Sequence, residues 1–375
     1  MRIVCIAASF VPSRTANSIQ VMKATHALAE SGHQVTLFVP GNTTRDFDEI
    51  RDQYGLTTPF KVEWIPENLV FRRYDFALKA IHQARRLKPD LVYTMMLQAG
   101  VLAVWSGIPA ILELHDRVTG KLGPWLFTRF VRSKTPHKLL TNTKALKDLL
   151  INDFDLDPSE MEILVAPNGV ELSRYQNLSE PETARRILNL PQGFTAGYTG
   201  HFYQGRGMEL MFSLAKRMPD IRFLWVGGQP ADVNRWQQRL QEEGVENVVL
   251  TGFVDNAVLP QYQAASDVLL MPYGMRIAGS GGGDSSDIAS PMKMFEYMAA
   301  ERAIITSDLP VFHEVLNEEM AVFCPPEDPQ TWEAALRAML SDPVRRESLA
   351  RTARSAVGNY TWQARAKRAL AGWIE

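Results

Sequence analysis

The sequence predicts an α/β protein of two doubly wound parallel-sheet domains, and three observations predict it. Short β-rich runs alternate with longer stretches of helical period, which is the grammar of βαβ units. The alternation starts afresh near the middle of the chain. The 375 residues suit two domains of ordinary size, each able to bury its own core.

In the first half, strands are expected at 3–8, 35–39, 91–94, 110–114 and 138–141, with a helix over 18–31. In the second half they are expected at 195–199, 222–226, 248–251, 268–271, 303–306 and 322–324, separated by helical stretches. Between the halves, residues 166–192 hold Pro167, Asn168, Gly169, Pro181 and Pro191 among many polar residues, the composition of an interdomain connection. The expected division is 1–185, 186–355 and a last helical segment over 356–375. Open parallel sheets bind ligands beyond the carboxyl ends of their strands, so two such sheets facing each other predict a cleft lined by loops that follow strands.

Composition removes several classes. With 46% hydrophobic, 22% charged and 9% aromatic residues the chain is not disordered. Lys plus Arg number 40 against 42 for Asp plus Glu, a net charge of −2, so no global basic field argues for nucleic-acid binding and any anion site must be local. Cys5 and Cys324 are too few for a disulfide scaffold or zinc cluster, which predicts a reducing, cytoplasmic setting. The first apolar run ends after about six residues, short of a signal peptide, and none approaches the roughly 18 residues of a membrane span.

Chemistry is expected first at Gly200, His201, Phe202, Tyr203, Gln204, Gly205, Arg206 and Gly207. These residues lie between a strand and the helix expected from about Met208. Small residues let backbone approach a phosphate, a helix start supplies free N–H groups, and Arg206 adds a bidentate cation. The run nearly spells a P-loop, but Arg206 and Gly207 replace its Lys and its magnesium-binding hydroxyl. The same glycines also suit a tight strand-to-helix turn without a ligand. A second helix is expected from Ser290 as N-cap and Pro291 as first helical residue, through Met292, Lys293, Met294 and Phe295 to Glu296. Met292, Phe295, Met298 and Ala299 share its apolar face. Glu296 reads either as a carboxylate for two neighbouring hydroxyls or as a solvated glutamate. The glycine-rich stretch 279–283 reads as a mobile loop over the cleft.

In the first half, Glu113, His115 and Asp116 gather at a strand end, where a histidine is either aimed at substrate or held structurally. Acidic pairs at Asp46 and Asp48, and at Asp153, Asp155 and Asp157, read as solvated loops, and His313 with Glu314 lacks the second His of a zinc helix. No metal site and no cofactor are expected.

In their order and spacing these residues resemble the family-4 retaining glycosyltransferases of the GT-B fold, two facing Rossmann-like domains. The resemblance spans nearly the whole chain. Its carriers are Gly32-His33-Gln34-Val35-Thr36, 113–116, Pro167-Asn168-Gly169-Val170, 200–207, Trp225-Val226-Gly227-Gly228, Thr251-Gly252-Phe253-Val254, Ala265-Ser266-Asp267-Val268 and 290–299. It implies a nucleoside-diphosphate sugar on the second domain, an acceptor on the first, and a last helix, 360–375, crossing back. Arg206 resembles the basic residue on the donor diphosphate. Glu296 resembles the second glutamate of the E-x7-E motif, on the ribose hydroxyls. Gly200, His201, Ser290 and the backbone of Pro291, Met292 and Lys293 are implied near the phosphates, and Val254 along the base edge. His115 resembles the histidine facing the transferred sugar, with Asp116 and the loop Ala16, Asn17 and Ser18 on the acceptor side. Three positions depart from the pattern. His201 stands where many members have Arg, Ile288 replaces the first glutamate with Asp287 beside it, and Ala16-Asn17 replaces glycines.

The resemblance implies a retaining sugar transferase, with an epimerase, a phosphorylase or a sugar-nucleotide-binding protein of degraded catalysis as alternatives. No convincing nucleophile is present, so a front-face displacement without metal is expected. Residues 117–147 hold eight basic residues and no acidic one, with Trp125, Leu126, Phe127 and Phe130 interleaved. They read either as a peripheral contact with the inner face of a membrane or as a solvated surface with aromatics packed inward.

Overall fold

The computed structural model describes the chain apart from Thr43, Arg72, Glu160, 278–283, 374–375 and the side chain of Leu69. The predicted glycine-rich loop 279–283 therefore lies outside the described residues. Two compact units form: residues 1–168 with 362–375, and residues 169–361.

Among the described residues the first unit holds seven parallel strands: β1 (Arg2–Ile6), β2 (Gln34–Pro40), β3 (Lys61–Ile65), β4 (Leu91–Thr94), β5 (Ala110–Leu114), β6 (His137–Thr141) and β7 (Ile163–Val165), in the order β3-β2-β1-β4-β5-β6-β7. The second holds six: β8 (Thr195–Gly200), β9 (Arg222–Gly227), β10 (Val248–Gly252), β11 (Val268–Met271), β12 (Ala303–Ser307) and β13 (Ala321–Cys324), in the order β10-β9-β8-β11-β12-β13. Each sheet runs outward in one direction from its first strand and then reverses. That makes β1/β4 and β8/β11 the switch points where such sheets open a crevice.

Continuous apolar runs form the central strands because helices cover both sheet faces. Every residue of β4, β5 and β11 is buried. Sequence pattern missed β3 and β7. The first is a half-buried edge strand whose Lys61 and Glu63 form a 2.7 Å ion pair, and the second has only three residues.

The division falls at 168/169, a correction to the boundary expected near 185. Residues 169–185 look like a linker by composition but are fastened into the second unit. The buried Arg185 guanidinium donates to Asp267 Oδ2 at 2.8 Å and to the Ala265 carbonyl at 2.9 Å. Val170 N donates to the Tyr360 carbonyl at 2.9 Å. The chain rejoins the first unit at Trp362 instead of 356, since Tyr360 packs on Phe295 with ring centroids 5.2 Å apart.

Candidate functional site

In the second unit, β8 runs into 200–207 at the switch point, and the helix Met208–Arg217 follows as expected. Three glycines in this loop take positive φ, and two of them are fixed by neighbouring backbone. A Cβ on Gly207 would stand 1.7 Å from the Pro272 carbonyl oxygen, and one on Gly205 would stand 2.3 Å from that of Arg276. The loop after β8 thus lies against the chain leaving β11, a close approach that only glycine permits. Phe202, buried against Trp225 at 6.4 Å, anchors it, while the exposed Tyr203 stacks on His201 at 5.2 Å.

Anchored in this way, the loop assembles cations among aromatic rings. Arg206 lies 5.1 Å from the Tyr203 ring and 5.0 Å from the Tyr273 ring. Lys293 Nζ is 3.8 Å from the Tyr198 ring. A Cβ on Gly200 would come within 2.8 Å of that nitrogen, so the loop backbone passes directly over it. Lys293 Nζ is shut off from solvent and has no hydrogen-bond partner among the described residues. Burial first and Arg206 second push it well below the ordinary lysine range, against the pull of Glu296. Burial, then Lys293 and Arg206, likewise lower His201. A buried amine beside a guanidinium is costly until an anion lies against it.

Glu296 lies on the helix Met292–Ala299, one turn after Lys293. Gln263, fully buried, reaches it: Nε2 lies 3.4 Å from Glu296 Oε2 and 3.2 Å from Thr199 Oγ1, while Tyr175 donates to its Oε1 at 2.9 Å. The half-buried carboxylate is therefore steered from behind and is not simply solvated. Sequence reading missed Gln263 and the Lys293 side chain. The i, i+3 spacing of Lys293 and Glu296 was the available signal.

The helix begins later than expected. Pro291, with ψ 131°, is the N-cap and Met292 the first helical residue, so Ser290 is not the cap. Ile288 is buried in the core and Asp287 beside it is exposed. Val254 is half-buried against the cluster of Leu224, Val226 and Ala264. A separate cavity of about 700 Å³ flanks the same loop, lined by Phe202, Tyr203, Met208, Arg235 and Trp236 among others, but neither Lys293 nor Glu296 reaches it.

In the first unit, His115 follows β5. Glu113, fully buried, receives hydrogen bonds from Tyr93 Oη and from His115 Nε2, and pairs with Arg365 of the helix Trp362–Leu370. Burial alone would raise this carboxyl, but Arg365 and then His115 outweigh it and hold it far below the usual carboxylate range. Gln20 Nε2 lies 2.9 Å from His115 Nδ1 and donates to Asn168 Oδ1 at 2.7 Å. Asp116 Oδ1 accepts from Arg117 N at 2.8 Å. The segment expected as a loop at Ala16, Asn17 and Ser18 is instead the first turn of the helix Ala16–Glu30, capped by Thr15. Ala16 and Asn17 are exposed, and Ser18 is buried on Tyr54 Oη.

The basic stretch 117–147 divides. Leu126, Phe127 and Phe130 face the core, and Lys138 is buried on Glu162 at 2.9 Å. Trp105, Leu122 and Trp125 are exposed, with the two indole rings 5.9 Å apart and Arg129 5.4 Å from the Trp125 ring, and Lys121, Arg132 and Lys134 are exposed in the same stretch. Among the described residues no helix is long and apolar enough to cross a membrane.

Two family profiles match the chain, one described as Glycosyltransferase Family 4 over residues 18–174 and one as Glycosyl transferases group 1 over 194–342. Phosphatidyl-myo-inositol mannosyltransferase of Mycobacterium tuberculosis is 27% identical over 266 residues, 68% of this chain and 64% of that relative, so the match spans just under two thirds of its length. Among solved structures, the Anabaena protein HepE in complex with UDP is similar with a TM-score of 0.74 at 15% identity, covering 100% of this chain and 99% of that one. Sucrose-phosphate synthase of Thermosynechococcus elongatus is similar with a TM-score of 0.75 at 18% identity, covering 100% and 98%. These likenesses show the two-domain Rossmann-like GT-B fold.

Proposed function

The chain belongs to the family-4 glycosyltransferases of the GT-B fold (glycosyl transferases group 1), and on that premise we propose that it moves a sugar from a nucleoside-diphosphate donor to an acceptor hydroxyl with retention of configuration. The observation that carries this reading is Lys293, a buried amine beside Arg206 with no hydrogen-bond partner among the described residues. A diphosphate supplies the missing negative charge. That charge grows as the glycosidic bond breaks, so the two cations stabilise the transition state more than the bound donor. They do so without a divalent metal. Glu296, held by Gln263, takes the ribose hydroxyls, and Asp287 stands in for the missing first glutamate. In the first unit His115 faces the transferred sugar. The departing phosphate takes the acceptor's proton in a front-face displacement, since among the described residues no side chain of the site offers a convincing nucleophile.

The acceptor is read as lipid-linked, met at the inner face of a membrane. The exposed Trp105, Leu122 and Trp125 among four basic residues have the composition of an anionic-bilayer contact, and the mannosyltransferase relative carries a phosphatidylinositol in its name. A second reading, a sugar-nucleotide-binding protein with weak catalysis, is favoured by Ile288, whose burial puts an apolar side chain where the first glutamate would be.

The deciding experiment measures sugar release and transfer from a panel of nucleotide sugars in excess chelator. Turnover of one donor with retained configuration supports the transferase. Binding without any turnover would leave the second reading, and activity restored only by manganese or magnesium would overturn the metal-free mechanism. Glu296→Gln should weaken donor binding about tenfold or more, as expected on losing a charge-assisted hydrogen bond of roughly 1.5 to 3 kcal/mol. Unchanged affinity would remove the ribose assignment.

A further inference from the structure

The first unit spends a buried ion pair on a histidine. Glu113 sits in the middle of the sheet, and its counter-charge comes from Arg365, on a helix that joins the unit only after the second unit has been completed. Arg365 is itself tied down: Nη1 donates to Tyr93 Oη at 3.0 Å and Nε to the Pro167 carbonyl at 3.2 Å. Tyr93 passes its own hydrogen to Glu113, so the guanidinium acts on the carboxylate both directly and through the phenol.

The hydrogens around His115 then follow by elimination. An ionised carboxylate only accepts, so the ring nitrogen facing Glu113, Nε2, carries the proton. In the neutral imidazole Nδ1 is left bare. Gln20 Nε2 has two hydrogens, and its two closest acceptors are Nδ1 at 2.9 Å and Asn168 Oδ1 at 2.7 Å. Its 3.1 Å approach to Nε2 brings two donors together and is no hydrogen bond. Glu113, His115, Gln20 and Asn168 therefore form a chain of donors and acceptors with one self-consistent assignment, provided that Glu113 is charged.

We propose that Arg365 is a positioning residue that sets the tautomer of His115 through Glu113, so that Nδ1 is the nitrogen left to accept a hydrogen from a substrate hydroxyl when Gln20 yields its place. The role for His115 rests on the transferase reading above, but the tautomer does not. Without Arg365 the buried carboxylate has no counter-charge and takes a proton from solvent. The resulting acid donates to Nε2, the ring proton moves to Nδ1, and the nitrogen offered to substrate changes from acceptor to donor. The other charged neighbours leave this logic intact. Asp116 is engaged by Arg117 N, and Cys5, pushed up to about 12 mainly by burial, stays a neutral thiol.

The test is a two-bond ¹H–¹⁵N correlation spectrum of protein labelled at its seven histidines, with His115 assigned by loss of its signals in His115→Gln. In the parent, His115 should show a protonated Nε2 and a bare Nδ1. Arg365→Met should reverse the pattern, and Arg365→Lys should keep it. Should Arg365→Met fail to fold, Arg365→Gln serves instead, because its neutral amide keeps a donor in that place while removing the counter-charge of Glu113, which leads to the same reversal. A bare Nε2 in the parent, or a protonated Nε2 surviving in the folded variants, overturns the proposal. With a donor in hand, the reversed variants should lose at least tenfold in transfer rate at saturating donor while binding nucleoside diphosphate as the parent does. Equal loss in both would reduce Arg365 to a structural role. The spectrum needs no substrate, so it stands or falls separately from the assigned reaction.

Discussion

The two units treat buried charge in opposite ways. In the first, Glu113 and Arg365 are both buried, and each finds its opposite within the unit, together with a phenol and an imidazole. In the second, Arg206 and Lys293 lie near enough to depress the lysine, the Glu296 carboxylate that opposes them accepts a hydrogen from Gln263, and Lys293 Nζ has no hydrogen-bond partner among the described residues. A completed pair fixes geometry. An incomplete one stores affinity for whatever anion completes it, because desolvation has already been incurred in the ligand-free fold. On the proposed reading the difference separates a site that orients from a site that binds, although the two sheets share one order over their first six strands.

Removing one member of the completed pair should produce the largest effect. Glu113→Ala leaves Arg365 buried without a counter-charge, and breaking such pairs costs about 3 to 5 kcal/mol. The loss should appear as a lower denaturant midpoint at unchanged slope. The sign of the pH dependence follows from the carboxyl's depressed value. Its contribution is complete above the ordinary carboxylate range and fades only as pH falls toward the strongly acidic folded value. Parent and variant should therefore differ most near neutrality and converge in acid. A gap that stayed constant down to strong acid would mean that Glu113 acts by packing and not by charge.

The corresponding change in the second unit should leave stability alone and act on binding. Lys293→Met keeps the stem on the Tyr198 ring and removes the isolated amine, a replacement expected to be neutral or slightly stabilising. Nucleoside-diphosphate affinity should fall about ten- to a hundredfold, the worth of a charge-assisted hydrogen bond of roughly 1.5 to 3 kcal/mol. Melting and titration of the same sample check both halves. A destabilised Lys293→Met with parental affinity would reverse the contrast between the units.

How far the sequence reveals each site follows from the range of its contacts. Continuous apolar runs and glycine-bearing loops are local, so the strands 91–94, 110–114 and 268–271 and the helix start at Met208 are readable within a few residues. Arg206 and Glu296 are readable because each lies in a short run with its own grammar. The partnership of Glu113 with Arg365 joins residues far apart in the chain, and no periodicity marks it. Gln263, inside a short helix, looks like any polar surface residue until the fold buries it against Thr199 and Tyr175. The linker-like composition of 169–185 misled for a related reason: its polar residues, Arg185 above all, are used inside a domain.

The finest distinction between the two units is a proton. Burial and Arg206 hold Lys293 well below the ordinary lysine range in the ligand-free protein. A diphosphate against the same nitrogen adds negative charge and raises it again, so binding at alkaline pH should be accompanied by proton uptake, up to about one proton per site. His201, also lowered, contributes in the same direction nearer neutrality, where a nearby diphosphate would favour its charged form. Calorimetric titration of nucleoside diphosphate in two buffers of different ionisation enthalpy reads the uptake directly. It should persist at alkaline pH in His201→Gln and vanish there in Lys293→Met. The linkage also sets a stability sign: a base depressed in the folded state makes the ligand-free protein gain stability as pH rises from the folded value toward the unfolded one, and saturating ligand should flatten that rise. Binding with no proton uptake at any alkaline pH would show that the anion does not reach Lys293, and the second unit's cations would then be as self-contained as the first unit's pair.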